Sequence, residues 1–110
     1  MANNFKRYTS RDVGTSAVTV GSYTVAANTQ TTAIGLTLSN TSNSAITVSA
    51  IHNDGANDTY IVKGATLPSG GSLIAIGGNQ KVVLETGDSI KVSASANTSV
   101  DAILSVLEIT

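Results

Sequence analysis

The sequence predicts an all-β protein built as a single antiparallel β-sandwich of about eight strands, Ig-like or jelly-roll in topology, with an extended N-terminal arm. Short apolar stretches repeat with a period of two, and clusters of Gly, Asn, Asp, Ser and Thr separate them. No stretch of useful length has a helical period. Because 110 residues suffice for one hydrophobic core, we expect residues 1–15 to form the arm and residues 16–110 the sandwich.

The predicted arm lacks periodicity and contains two of the four aromatic residues, Phe5 and Tyr8. Aromatic side chains outside a patterned core suggest a segment that docks, either on its own domain or on a neighbouring copy. Residues 1–12 hold three basic side chains and one acidic one, whereas the rest of the chain holds three basic and six acidic ones. The arm is therefore basic and the body mildly acidic.

The first half of the body predicts three strands. Alternation over residues 16–26 is interrupted at Gly21, which indicates a bulge or bend. Residues 32–39 place Ile34, Leu36 and Leu38 inward, and residues 45–53 place Ile46, Val48 and Ala50 on one face. The five residues between these two strands predict a hairpin.

The second half predicts a strand at residues 59–63, another at 72–76, and glycine turns at 70–71 and 77–78. In Lys81 to Ser95, a period-two pattern runs up to Glu85-Thr86-Gly87-Asp88 and continues beyond it, which predicts a hairpin with Gly87 at positive φ. The last strand, residues 100–110, is apolar on both faces. Such a strand lies centrally or pairs with another subunit.

The composition limits the classes of function and of partner that the protein could have. Charged residues make up 12% of the chain, which is low for the surface of a free monomer and suggests that part of the surface is covered. The net charge of −1 argues against nucleic acid and anionic membrane as partners. No stretch approaches the roughly 18 apolar residues of a membrane span or resembles a secretion signal. We expect a soluble protein made in the cytoplasm.

The sequence offers no enzyme chemistry. It has no cysteine and one histidine, His52, so a thiolate site or a multi-histidine metal site is excluded. Asp54 and Asp58 flank Gly55 but lack the order of a calcium loop, so we interpret them as turn residues. We predict no catalytic residues, no metal and no cofactor. Tyr23 and Tyr60 lie on predicted strands, where a core or half-buried position is expected, so sugar stacking is weakly supported.

Several short segments resemble small structural proteins of tailed bacteriophages, particularly phages of marine and cyanobacterial hosts. The matching segments are residues 4–9, 13–16, 34–41, 67–73, the Gly87-Asp88 turn and 104–108. The resemblance implies a β-sandwich virion component made in the host bacterial cytoplasm, with itself and the major capsid protein as partners.

The principal hypothesis from the sequence is a non-enzymatic capsid decoration or cement protein. The alternatives are a neck or tail accessory protein and a receptor- or glycan-binding module. A subunit of this kind would bury the outer side of its last strand and use its basic arm to hold a neighbour. We therefore predict an assembly surface that comprises Phe5, Lys6, Arg7, Tyr8, Arg11, Ile103, Leu107 and Ile109.

Overall fold

The computed structural model describes residues 2–110 and contains two antiparallel sheets packed face to face. Nine strands follow one another along the chain: β1 (Asn3–Val13), β2 (Val18–Thr24), β3 (Gln30–Asn40), β4 (Ile46–Asn53), β5 (Asp58–Leu67), β6 (Ser72–Ile76), β7 (Val82–Leu84), β8 (Ser89–Ala94) and β9 (Val100–Ile109). Residues 2–110 contain no helix that is long and apolar enough to cross a membrane. The predicted all-β sandwich is confirmed.

The strand order is that of a jelly roll. The first sheet runs β1-β9-β3, with β6 and β7 both pairing along the far edge of β3, and the second runs β2-β8-β4-β5. If β6 and β7 are counted as one interrupted strand, the pairs are nested: β1 with β9, β2 with β8, β3 with β6 and β7, and β4 with β5. This nested pairing decides between the two topologies that the sequence left open.

The core lies between the sheets and is aliphatic. Its fully buried side chains include Leu36, Leu38, Ile90, Leu104 and Val106. These residues come from central strands of both sheets, as their period-two pattern requires. The predicted placement of Ile46, Val48 and Ala50 on one face is also confirmed, and that face is the inner one.

The segment predicted as an extended arm forms the edge strand β1 of the first sheet. Its residues pair with β9 from Asn3↔Ile109 to Val13↔Val100, with an irregularity between Ser10 and Val13. Most side chains of β1 are exposed, because only alternate residues face the core and the strand lies at the margin of the sheet. The pairing accounts for the weak pattern in the sequence, since an edge strand needs few apolar residues.

Two predicted hairpins are wrong. β3 and β4 lie in different sheets, and so do β7 and β8, so the segments between them cross from one layer to the other. Period-two alternation identifies each strand but does not identify its partner, because inward-facing residues look the same in either sheet. A tight turn does occur at Gly77 to Gln80, where the two residues exchange backbone hydrogen bonds of 3.1 and 3.0 Å.

One inward residue of β3 was also predicted wrongly. The register with β9 shifts between Ala33 and Gly35, so Ile34 is an extra residue opposite an unbroken partner strand. The shift buries Ala33 completely and turns Ile34 to the outer side. The interruption predicted near Gly21 is confirmed, because β2 loses its register with β8 between Thr19 and Thr24.

Gly87 has the predicted positive φ, at +89°, in the turn that joins β7 to β8. Its N–H donates to the Val25 carbonyl at 2.9 Å, and no atom lies within 4 Å of the position that a Cβ would take. We therefore expect Gly87→Val to lower the free energy of unfolding by about 1 kcal/mol or more through backbone conformation alone. Urea denaturation measures this change, and a variant as stable as the parent would contradict it.

Candidate assembly surface

The side of the first sheet that faces away from the core carries seven apolar side chains among polar ones such as Arg7, Thr32 and Ser105. Strand β9 alternates strictly: Ala102, Leu104 and Val106 are buried, whereas Ile103, Leu107 and Ile109 point outward. Neighbouring strands add further apolar side chains to the same side. We call this side the outer apolar face, and its apolar members are Phe5, Ile34, Ile74, Val83, Ile103, Leu107 and Ile109.

The strand registers arrange the outer apolar face in rows that cross the sheet. One row consists of Phe5, Leu107, Thr32 and Val83. A second row, separated from the first by the row that contains Ser105, consists of Thr9, Ile103, Thr37 and Ile74. Four of these side chains are strongly exposed: Phe5 at 76%, Ile74 at 70%, Val83 at 69% and Ile103 at 50%. Several strongly exposed apolar side chains on one side of a sheet are typical of a surface that binds another molecule.

The structure brings together five of the eight residues predicted for assembly. Phe5, Arg7, Ile103, Leu107 and Ile109 share the outer apolar face, because their partners in the β1–β9 register all point outward. The other three are placed differently. Lys6 and Tyr8 alternate with Phe5 and Arg7 and point to the inner side, and Arg11 lies in the irregular part of β1.

Three members of the outer apolar face were missed from the sequence. Ile34 reaches it only through the bulge in β3, which the alternation does not reveal. Val83 and Ile74 lie on short strands whose partner is β3. The alternation of Val82 and Leu84 does place Val83 on the opposite side, so this residue could have been found from its neighbours.

Two depressions indent this side of the sheet. One has a volume of about 320 Å³ and lies around Ser105, bordered by Phe5, Arg7 and Ile34. The other has a volume of about 630 Å³ and lies at the opposite border, where Thr32, Val83 and Ile109 line it together with Glu85. Phe5 stands beside the first depression and Val83 beside the second, and both side chains are strongly exposed.

A polar cluster lies on the inner side of β1, where Lys6 reaches a buried carboxylate. The Lys6 ammonium contacts Glu108 Oε1 at 2.8 Å, and the Tyr23 hydroxyl donates to Glu108 Oε2 at 2.6 Å. The Tyr23 oxygen also lies 2.9 Å from the Thr31 hydroxyl. Each oxygen of this carboxylate therefore has a partner, as a buried charge requires.

The cluster shifts the pKa of its members in consistent directions. The hydrogen bond from Lys6, followed by that from Tyr23, holds the pKa of Glu108 below its usual value of 4.5. The same contact with Glu108 raises the pKa of Lys6. Burial, followed by the hydrogen bond to Glu108, raises the pKa of Tyr23 to about 12. At neutral pH the cluster thus holds one ion pair and a neutral phenol.

Aromatic stacking adds to the attachment of β1. The rings of Tyr8 and Tyr23 lie 4.2 Å apart between centroids, with 19° between their planes. The Ser10 hydroxyl accepts a hydrogen bond from the Gly21 N–H at 2.9 Å. The inner side of β1 therefore fixes the strand to its own domain and leaves the outer side, with Phe5 and Arg7, available to solvent.

The polar groups at the end of β4 serve the turns of the fold. His52 Nε2 lies 2.9 Å from Asp88 Oδ2, which also accepts the Glu85 N–H at 2.9 Å. Asp54 Oδ1 accepts the N–H groups of Ala56 and Asn57, and these two bonds lower the pKa of Asp54. Within residues 2–110, His, Asp and Glu side chains form no group of three or more that could hold a metal ion.

Of the two body tyrosines, one is buried and one is exposed. Tyr23 lies in the core, as expected, whereas Tyr60 is 48% exposed on β5, the edge strand of the second sheet. The Lys63 ammonium lies 5.1 Å from the Tyr60 ring centroid and covers one side of it. The exposure of Tyr60 corrects the expectation of a half-buried position.

Comparison with known proteins finds similarity of fold only. No protein-family model and no curated protein matches the chain. A subunit of Bacillus endospore appendages, described as disulfide-linked pili, aligns with 99% of this chain and 87% of its own length, at a TM-score of 0.56 and 11% identity. A chain from the acidic stable capsid of Helicobacter pylori bacteriophage KHP30 aligns with 100% of this chain and 89% of its own, at 0.57 and 10%.

A third similar structure is larger. The chain from infectious bursal disease virus, Gx strain, aligns with 98% of this chain at a TM-score of 0.55 and 12% identity, and this chain spans 33% of its length. These structural neighbours are viral capsid and pilus proteins with all-β folds. The pilus is disulfide-linked, whereas this chain contains no cysteine, so the two cannot assemble by the same covalent chemistry.

Proposed function

We propose that this protein is a non-enzymatic structural component of a tailed bacteriophage virion, and specifically a capsid decoration or cement protein. The observation that carries the proposal is the outer apolar face, on which Phe5, Ile74, Val83 and Ile103 are strongly exposed. A free monomer would keep these side chains in water, whereas an assembled subunit buries them. The virion is then the site of function, after synthesis in the host cytoplasm.

The fold supports an assembly role. Jelly rolls are common in viral capsid proteins, and two of the similar structures described above come from virus capsids. The low charge content fits a surface that is partly covered by other subunits. The polar clusters support a structural role as well, because the Glu108 and Asp88 carboxylates are both occupied by hydrogen bonds within the fold.

The proposal assigns the protein two partners, further copies of itself and the major capsid protein. Phe5, Arg7, Ile103, Leu107 and Ile109 would provide contacts through the outer apolar face. Lys6 and Tyr8 would contribute by holding β1 in place. A capsid presents many identical sites, so modest contacts from each copy sum to firm attachment.

Mass spectrometry of purified particles of the phage that encodes this chain tests the proposal. We expect the protein in purified particles, in a copy number comparable to that of the major capsid protein. A copy number that matches a single ring would instead place it at the neck or tail. Absence from particles in which other minor structural proteins are detected would refute the virion role.

A further inference from the structure

We propose that the outer apolar face packs against the same face of a second copy, which forms a two-fold symmetric dimer. The proposal rests on the assembly role proposed above and names the partner of this surface. Two features of the face support a second copy as its occupant: its area and the placement of its exposed apolar side chains.

The area of the face suits a stable dimer. It is four strands wide and about ten residues long, which corresponds to roughly 19 by 33 Å, or about 600 Å² before side-chain relief is included. Standard interfaces bury about 800 Å² per partner, and the smallest stable ones about 600 Å². The face is therefore large enough to hold two copies together without a contribution from other surfaces.

A strongly exposed apolar side chain stands at each border of the face, Phe5 on β1 and Val83 on β7. The depression of about 630 Å³ lies beside Val83, where Thr32 and Ile109 also line it. Both residues Phe5 and Val83 belong to one row of the sheet. A two-fold axis parallel to the strands reverses that row, so each copy places its Phe5 in the depression of the other, and the contact occurs twice.

Sedimentation equilibrium of the wild-type protein and of two lysine variants tests the dimer. Val83→Lys places an ammonium in the contact of both copies, and we expect the dimer dissociation constant to rise at least about a hundredfold. The matched control is Val18→Lys, because Val18 is a 39% exposed valine on the second sheet. This control should dimerise as the wild type does.

Several outcomes would overturn the dimer. One is a wild-type protein that stays monomeric at about 100 μM. Others are a trimer or larger ring, and a dimer that Val83→Lys leaves intact. Equal loss of dimer in both lysine variants would also do so, because it would not be specific to the face. Thermal unfolding of each variant confirms that its monomer is folded.

Cross-linking tests the orientation of the two copies. Because the chain has no cysteine, Phe5→Cys and Val83→Cys each introduce a single thiol. We expect a short bismaleimide to join the two variants when they are mixed and to join neither efficiently when each is alone. Cross-linking of Phe5→Cys with itself as strongly as with Val83→Cys would overturn the parallel axis.

The dimer and the virion role fail separately. Suppose that the wild type and Val83→Lys are both monomeric in solution and are incorporated into particles equally well. The dimer is then refuted and the virion role stands. If the protein dimerises as described but is absent from particles, the virion role is refuted and the dimer stands.

Discussion

Gly21→Ala is expected to lower the free energy of unfolding by about 2–4 kcal/mol, since it combines backbone strain with a steric clash. Gly21 has φ of +59°, and a Cβ there would lie 2.5 Å from Tyr8 Cβ and 3.2 Å from the Thr9 nitrogen. The obstructing atoms belong to the first carbon of a side chain and to the backbone of β1, so no rotamer change relieves them. Thermal or urea denaturation measures the loss.

Gly78→Ala provides the matched control. Gly78 also has φ of +59°, but no atom lies within 4 Å of the Cβ position. It should therefore cost only the conformational part, about 1 kcal/mol. The difference between the two losses in free energy of unfolding measures the steric clash of the Gly21 position on β2 with β1. Equal destabilisation of the two proteins would show that β1 does not pack closely against Gly21.

Glu108→Ala is expected to cost about 2–3 kcal/mol at neutral pH, because it removes a buried acceptor from Lys6 and Tyr23 together with its packing. Glu108→Gln keeps the size of the side chain and an acceptor for the Tyr23 hydroxyl. We therefore expect Glu108→Gln to lower the free energy of unfolding by less, about 1–2 kcal/mol. This loss measures the contribution of the negative charge to the two hydrogen bonds. Lys6 is half exposed, so solvent limits the strength of its ion pair.

The effect of Glu108 depends on pH in a definite direction. Because the folded-state pKa of Glu108 lies below 4.5, its carboxylate stabilises the fold above pH 4.5, and this contribution disappears as the pH falls through the folded-state value. The stability difference between wild type and Glu108→Gln should therefore shrink at acid pH. A difference that stays constant from neutral pH to pH 2 would contradict the ion pair with Lys6.

The sequence predicted strands well and their partners poorly. Leu36 and Leu38 were placed inward correctly, because alternation depends only on which side of a strand is dry. The two wrong hairpins share one cause: in a jelly roll most consecutive strands lie in opposite sheets, and neither loop length nor apolar pattern reports which sheet comes next.

The assembly surface was predictable where the strands are regular. Ile103 and Leu107 were found from the two-sided pattern of β9, and Phe5 from its isolation near the N-terminus. The Lys6–Glu108 pair was not found, because it depends on the β1–β9 register, which brings residues near the two ends of the sequence together. A contact of that sequence separation leaves no local trace.

The bulge in β3 has a consequence for how the length of this strand can vary. Ile34 is unmatched on β9, and the residues before and after it keep opposite alternation. Loss of one residue at this point would restore an ordinary strand and leave both halves facing as they do now. Loss of a residue anywhere else between Gln30 and Asn40 would exchange the buried and exposed sets of one half. The bulge is thus the one place in β3 where a deletion preserves the core.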